Sequence, residues 1–138
     1  VSFVKKKIKN KQLKFVSNLS FKNKNKYQVI LMQSSLQYFS NPYDLLDKLV
    51  KLNSRFIIID EIPLTNNQSD EITIQYNPKK IYPVNYPLHI LSEKKIKNYL
   101  KQKNFILICE KNCSTGIGGY NYKCLVFIKR WKIKNLIK

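Results

Sequence analysis

The sequence predicts an open α/β domain, and two apolar segments carry that prediction. Val29–Met32 and Phe56–Ile59 are short apolar runs without alternation, as expected of parallel strands that are covered on both faces. Polar residues follow each run directly, and ligands bind outside the carboxyl ends of the strands in such sheets. The chain therefore looks like part of a ligand-binding α/β domain.

The segment between the two runs predicts a helix with a well-marked start. Ser40 or Asn41 can serve as N-cap, Pro42 suits the first helical position, and Asp44 in the first turn complements the helix dipole. Asn53 ends the pattern. The predicted buried face consists of leucine and valine side chains, namely Leu45, Leu46, Leu49, Val50 and Leu52.

Residues 61–91 contain prolines and no long periodic pattern, which predicts a long functional loop, with a short strand at Glu71–Tyr76. Ser92 then caps a helix that runs to Lys103. Upstream, the pattern predicts a lysine-rich helix over 2–10 and a strand at Leu13–Val16.

Phe105–Glu110 and Tyr122–Lys129 predict two strands with a connection too short for a helical crossover, so they pair antiparallel. The expected spatial order is Val29–Met32, Phe56–Ile59, Tyr122–Ile128 and Phe105–Ile108. We expect Leu13–Val16 to pair with the free edge of the first of these, because an exposed apolar edge invites association. Residues 1–130 then form one domain, and 131–138 a basic tail.

Composition excludes several classes of protein. The longest purely apolar stretches hold about four residues, far short of a membrane span, and the N-terminus lacks the apolar core of a signal peptide. We therefore expect a cytoplasmic protein. The cysteines are Cys109, Cys113 and Cys124, an odd count that favours free thiols. Their spacing does not fit a zinc knuckle, and we predict no metal site.

The net charge of +18 raises the question of nucleic-acid binding. Of the 26 basic residues 24 are lysines, and the chain also has 17 isoleucines, 15 asparagines and no alanine. That bias is typical of an AT-rich coding sequence. Lysine attracts phosphate without reading bases, whereas base readout uses the planar fork of arginine. We expect no specific nucleic-acid partner.

Four segments together resemble the C-terminal half of a class I S-adenosylmethionine-dependent methyltransferase. They are QVILMQSSLQYFSNPYDLL, RFIIIDEIPL, ITIQYNPKKIYPVNYPLHILSE and GYNYKCLVFIKR, within residues 13–130. The chain is similar to a bacterial family of methyltransferases often encoded among surface-polysaccharide genes. The resemblance implies a partial Rossmann-like sheet, mostly parallel with a C-terminal antiparallel strand, S-adenosylmethionine as cofactor, and a small-molecule or saccharide acceptor.

The resemblance also implies roles for individual side chains. Residues at strand ends would contact the cofactor, and residues in the following turns and the long loop would face the acceptor. The implied cofactor set is Ser17, Asn18, Gln33, Ser34 and Ser35, and the implied substrate set is Gln37, Tyr38, Glu61, Gln75, Tyr82 and Tyr86. Serines at a strand end also commonly satisfy loose backbone groups, so a purely structural role remains open.

Two candidates for proton transfer follow from the residue types. Asp60 ends a strand, where a general base would lie, and His89 has an unperturbed pKa suited to neutral pH. A solvated acid and a structural histidine are the alternative interpretations.

Two departures from the family pattern matter. Glu61 stands where a basic residue is expected, which leaves the charge preference for substrate open. The only glycines, Gly116, Gly118 and Gly119, lie far from the start, so the usual glycine-rich cofactor turn is missing. We infer a fragment that lacks its N-terminal cofactor-binding unit and is inactive alone. A short protein with its own topology is the alternative.

Three functional hypotheses remain: a methyltransferase portion, a non-catalytic basic fragment that binds anionic polymers, and a decayed remnant that acts as a partner module. The DNA upstream of Val1 discriminates among them, because an in-frame strand with a glycine-rich turn would support the first.

The charge composition generates a prediction. Because nearly all cations are lysines, any binding to DNA or RNA should ignore sequence and fade steeply as salt is raised. Filter binding with two duplexes of unrelated sequence checks this. Selective binding that persists at about 200 mM salt would contradict it.

Overall fold

One mixed sheet organises the part of the chain that the computed structural model describes, residues 27–77, 80, 83–113 and 119–130. Within these residues there are six strands, two α-helices and a 3-10 turn at Leu36–Tyr38. The helices are α1 (Pro42–Val50) and α2 (Glu93–Gln102). The strands are β1 (Val29–Gln33), β2 (Phe56–Thr65), β3 (Glu71–Gln75), β4 (Tyr86–Ser92), β5 (Phe105–Asn112) and β6 (Asn121–Lys129).

Strand β2 lies at the centre of the sheet and pairs with three other strands. β1 lies parallel to its first half, with Val29 opposite Phe56, and β6 lies antiparallel on its other side, with Phe56 opposite Ile128. β5 then pairs antiparallel with the outer edge of β6. The predicted spatial order β1, β2, β6, β5 is confirmed, including the insertion of the last strand between its neighbours.

The sequence predicted a mostly parallel sheet, and that prediction is wrong about the proportion of parallel pairings. Three of the five pairings are antiparallel, and only β1 and β4 lie parallel to β2. The additional antiparallel pairing comes from β3 and β4, which form a hairpin that joins the sheet at the far end of β2, where Leu64 pairs with Leu91.

This hairpin also corrects the predicted loop over residues 61–91. The strand predicted at Glu71–Tyr76 is confirmed as β3, but β2 continues to Thr65 and β4 occupies Tyr86–Ser92. Pro63 and Pro87 lie within these strands, opposite Tyr122 and Ile74. Proline lacks the N–H that a strand ladder uses, so both positions resemble loop in the sequence.

The two predicted helix starts are confirmed. The Asn41 side chain accepts a hydrogen bond from the Asp44 N–H at 3.2 Å, and Pro42 opens α1. At α2 the Ser92 hydroxyl accepts from the Lys95 N–H at 3.3 Å and donates to the Asn67 carbonyl at 2.7 Å. Ser92 therefore joins the start of α2 to the turn after β2.

The hydrophobic core lies between the helices and one face of the sheet. Helix residues such as Leu46 and Leu100 join strand residues such as Ile57 and Phe127, all less than 2% exposed. In β1 only alternate side chains are buried, and Val29 and Leu31 are 48% and 59% exposed. The prediction that β1 is covered on both faces is therefore wrong. The segments predicted for residues 2–10, Leu13–Val16 and 131–138 lie outside the described residues.

Four charged side chains join α2 to the β5–β6 pair. Lys97 and Lys123 each bridge Glu93 at the start of α2 and Glu110 on β5. The Lys123 Nζ lies 2.8 Å from Glu93 Oε2. Hydrogen bonds from Lys123 and then Lys97 hold the pKa of the Glu110 carboxyl at about 2, well below its usual value.

This ion-pair cluster generates a pH prediction. Because the pKa of Glu110 is lowered in the folded state, its contribution to stability is complete above about pH 4.5 and is lost as pH falls toward about 2. Replacing Glu110 with Gln should flatten that part of the curve and cost about 1 kcal/mol or less at neutral pH, since the pairs are solvent-screened. Urea unfolding at several pH values measures the effect.

The matched control is Glu71→Gln, whose carboxylate accepts hydrogen bonds from Thr65 and Asn67. This variant retains the acid-dependent fall because Glu110 is intact. Identical pH profiles for the Glu110→Gln variant and the unaltered protein would show that the cluster contributes nothing.

Candidate functional site

The carboxyl end of β1 is cross-linked to the middle of β2, and both positions have an uncommon backbone conformation. Ser34 and Glu61 both have positive φ angles, 42° and 52°, which residues other than glycine seldom adopt. The Ser34 N–H donates to the Asp60 carbonyl at 3.0 Å, and the Ser34 hydroxyl donates to the Glu61 carboxylate. Such strained positions cluster at functional sites, which supports a site at this edge.

An irregularity in β2 brings the two acids together. The pairing of β2 with β6 runs regularly to Ile59 and resumes at Ile62, so Asp60 and Glu61 share a bulge. The Asp60 carboxylate accepts from the Glu61 N–H at 3.1 Å and lies 3.9 Å from the Cys113 sulfur. Both acids are half-buried.

Cys124 on β6 also contacts Asp60. Burial first, and then the hydrogen bond and negative charge of Asp60, raise the pKa of the Cys124 thiol to about 11. Cys109, Cys113 and Cys124 are all free, and only Cys109 is exposed. Near neutral pH the Cys124 thiol therefore acts as a hydrogen-bond donor to Asp60 and not as a nucleophile.

Tyrosine side chains gather beside the acids. The rings of Tyr38 and Tyr86 meet edge to face with centroids 5.2 Å apart, and the Tyr38 hydroxyl donates to Gln75 Oε1 at 3.1 Å. Gln75 is the hairpin partner of Tyr86. Tyr122 from β6 is the third tyrosine of the cluster. Burial first, and then the neighbouring Tyr86, raise the pKa of its phenol. Burial, followed by Tyr86, also raises the pKa of Tyr38.

Gln37 is the most deeply buried polar side chain of this cluster. It is 2% exposed and its side chain hydrogen-bonds the Tyr38 phenol. Its carbonyl oxygen, Oε1, has no hydrogen-bond partner within the described part of the chain. Burying an amide oxygen without a donor costs about 1–3 kcal/mol, so this atom is a candidate ligand contact.

The structure gathers many of the residues that the sequence singled out. Ser34, Asp60 and Glu61 meet where β1 ends beside the bulge of β2, and Gln33 pairs with Asp60 in the β1–β2 register. The Ser35 carbonyl accepts from the Tyr38 N–H at 3.1 Å and so shapes the 3-10 turn. Gln37, Tyr38, Gln75 and Tyr86 form the neighbouring cluster, whereas Ser17, Asn18 and Tyr82 lie outside the described residues.

His89 is not brought together with the tyrosines. In β4 it lies three positions after Tyr86, and successive side chains of a strand point to opposite faces. His89 pairs with Ile72, which is 68% exposed, whereas Tyr86 pairs with Gln75. His89 therefore faces away from the tyrosine cluster, and the geometry gives no support to the catalytic role predicted for it.

Sequence reasoning missed Tyr122, Cys113 and Cys124 as parts of this site. Tyr122 and Cys124 are two positions apart and so share a face of β6, opposite Pro63 and the bulge of β2. Alternation along β6 was a usable signal for that pair. The bulge that brings Asp60 to Cys124 has no signature in the sequence.

The described residues bring no three histidine, cysteine or acidic side chains into an arrangement that could hold a metal ion. Within the same residues, neither helix has the length and apolar character that crossing a bilayer requires.

Comparison with solved structures shows the fold. A methyltransferase from Methanosarcina mazei, described as S-adenosylmethionine-dependent, superposes with a TM-score of 0.61 at 13% identity over 84% of this chain. One from Clostridium acetobutylicum gives 0.51 at 12% identity over 94%. The glycopeptide N-methyltransferase MtfA bound to S-adenosyl-L-homocysteine gives 0.51 at 8% identity over 75%.

No family model matches the chain, and no curated protein matches it in sequence. The chain spans 65% of the M. mazei structure and 55% of MtfA, so it corresponds to part of the length of those proteins. At these identities the likeness establishes the fold alone. The described sheet has the Rossmann-like fold of S-adenosylmethionine-dependent methyltransferases.

The Asp60–Cys124 contact generates a prediction. The rate at which a disulfide reagent labels Cys124 should rise about tenfold per pH unit until about pH 11, because only the thiolate reacts. Asp60→Asn should speed this labelling at pH 8, since it removes a negative charge beside the sulfur. Peptide mapping by mass spectrometry follows each thiol separately.

The control for this prediction is Asp47→Asn, which removes an equal charge from an acid on α1 that is paired with Lys103 at the end of α2. Its Cys124 labelling rate should match that of the unaltered chain. Equal rates in the Asp60→Asn variant would show that Asp60 does not influence the thiol.

Proposed function

We propose that these residues form the acceptor-binding side of an S-adenosylmethionine-dependent methyltransferase. One observation carries the proposal: on a fold shared with such enzymes, the strained junction between the carboxyl end of β1 and the bulge of β2 lies beside a cluster of tyrosine and glutamine side chains. Ligands of open α/β sheets bind at this edge. The acceptor is a small molecule or saccharide, and a place in surface-polysaccharide synthesis follows from the family resemblance of the sequence.

The described residues fit only part of the cofactor. Gln33, Ser34 and Ser35 present an amide and hydroxyls at the end of β1, suited to the methionine portion. The sole described glycine, Gly119, lies before β6 and forms no glycine-rich turn after a strand. When bound, S-adenosylmethionine supplies a methyl group already activated by its sulfonium, so the protein mainly positions the acceptor.

Each side chain then has a binding or positioning role. The Ser34 hydroxyl donates to the Glu61 carboxylate and so holds it in place. The Asp60 carboxylate is the candidate for accepting a proton from the acceptor. The tyrosine rings form one wall of the site. We assign the cofactor-binding glycine turn to residues that this chain does not contain, which leaves the isolated chain inactive.

This proposal predicts weak or absent binding of S-adenosylmethionine by residues 1–138, because the contacts to ribose and adenine are incomplete. Titration calorimetry measures it. Low-micromolar binding by the isolated chain would contradict the missing-unit interpretation while leaving the fold unaffected.

A longer polypeptide gives the direct test. If in-frame DNA upstream of Val1 encodes a strand and a glycine-rich turn, the extended protein should bind S-adenosylmethionine, and Ser34→Ala should weaken that binding about tenfold, or about 1.4 kcal/mol. Ser40→Ala, an exposed serine just before α1, is the matched control. Unrelated upstream sequence, or no binding by the extended protein, would defeat the proposal.

A second candidate function, attachment to anionic polymers, has an observation in its favour. A cavity of about 310 Å³ beside α2 is lined by Lys97, Lys101 and Arg130, together with Asn98 and Asn104. Lys97 is already engaged by Glu93 and Glu110, which lowers the net charge that the cavity offers. Loss of polymer binding in a Lys101→Gln, Arg130→Gln variant would identify this surface as its site.

A further inference from the structure

We propose that the acceptor enters this site as an organic cation, a protonated amine held by the Asp60 and Glu61 carboxylates and the faces of Tyr38, Tyr86 and Tyr122. This inference rests on the proposed function, since it names the substrate class of the same site. Three independent features of the described residues support it: unpaired charge, unpaired acceptor atoms and aromatic faces.

The first feature is the charge of the bulge. The chain carries 26 basic and 8 acidic residues, yet within the described ranges neither Asp60 nor Glu61 has a lysine or arginine within ion-pair distance. Other acids of the fold are paired with lysines, namely Asp47, Asp70, Glu93 and Glu110. Two adjacent half-buried carboxylates therefore keep a local negative field in a strongly basic protein.

The second feature is the kind of hydrogen-bonding atom left over. The Gln37 Oε1 is buried and has no donor within the described residues. A carboxylate offers about four acceptor positions, and the bonds recorded to Asp60 and Glu61 fill only some of them. The unfilled groups are thus acceptors, and an ammonium, with three N–H donors and no acceptor, complements them.

The third feature is the aromatic wall. Tyrosine is neutral at physiological pH, so the Tyr38 and Tyr86 rings, which meet edge to face, and the Tyr122 ring present electron-rich faces and no charge. A cation near such a face gains about 0.5–2 kcal/mol. The tyrosines thus favour the same sign of ligand charge as the bulge.

These features share one end of the sheet. Tyr122 and Cys124 project from the same face of β6, and Cys124 contacts Asp60. Cys113 links the two groups, since its sulfur lies 3.9 Å from the Asp60 carboxylate and its N–H donates to the Tyr122 carbonyl at 2.7 Å. Tyr86 meets Tyr38 edge to face, and it lies close enough to Tyr122 to raise the pKa of that phenol. A chain of contacts therefore runs from the carboxylates through β6 to the tyrosine cluster, so one ligand that enters at this edge encounters all three features.

The test compares D-glucosamine with D-glucose, two sugars that differ at one ring position by an ammonium in place of a hydroxyl. Binding to residues 1–138 is followed by NMR at about pH 6, where the amine is protonated. We expect glucosamine to bind at least about tenfold more tightly than glucose, or about 1.4 kcal/mol. Its shifts should centre on Tyr38, Tyr86 and Tyr122. Equal affinities, or shifts elsewhere, would overturn the inference.

Variants assign the recognition to named groups. Asp60→Asn with Glu61→Gln should abolish the preference for glucosamine, whereas Asp47→Asn with Glu110→Gln, an equal loss of two charges at lysine-paired acids, should keep it. Tyr122→Leu removes a ring without changing charge and should weaken glucosamine binding severalfold, which keeps the test decisive if the double variant fails to fold. An unchanged preference in the variants that fold would overturn the inference.

The sulfonium of S-adenosylmethionine is a second source of positive charge. If the double variant weakened binding of S-adenosylmethionine relative to S-adenosylhomocysteine, and left glucosamine binding intact, the carboxylates would serve the cofactor and the amine inference would fail. Retained glucosamine preference, together with no cofactor binding by the extended polypeptide, would instead defeat the methyltransferase proposal alone.

Discussion

The central position of β2 determines both the sheet and the site. Its first half is paired on one side with β1 and on the other with β6, and its last residues change partner from β1 to β4. The bulge at Asp60 and Glu61 lies where that change occurs. The same irregularity therefore lies where one parallel pairing ends and the β3–β4 hairpin begins to dock, and it places two acids side by side at the carboxyl end of β1.

Local and hydrophobic signals made much of the fold predictable. Asn41 and Ser92 mark helix starts through side-chain chemistry that acts within a few residues, and the apolar runs mark the strands of the core. The hairpin was only half predicted, because Pro63 and Pro87 resemble loop residues and become strand only through pairing with distant partners. Tertiary pairing in β2 and β4 thus overrode the local preference.

The site was predictable where residues lie at strand ends and unpredictable where register decides. Ser34, Asp60 and Glu61 follow apolar runs, so their meeting was implied by a parallel sheet. The contact of Asp60 with Cys124 depends on the bulge in β2, and the outward orientation of His89 depends on a hairpin register that the sequence does not specify. Register is a long-range property, and composition does not encode it.

The insertion of β6 between β2 and β5 has a consequence for how the chain is made. Phe56 on β2 pairs with Ile128 on β6, and β5 pairs with β6 and not directly with β2. During synthesis from the N-terminus, β2 and β5 leave the ribosome before the strand that joins them. Closing a loop of that length carries an entropic cost before any contact forms. This half of the sheet therefore forms after residue 129 has been translated, and a nascent chain halted earlier exposes the apolar edges of both strands.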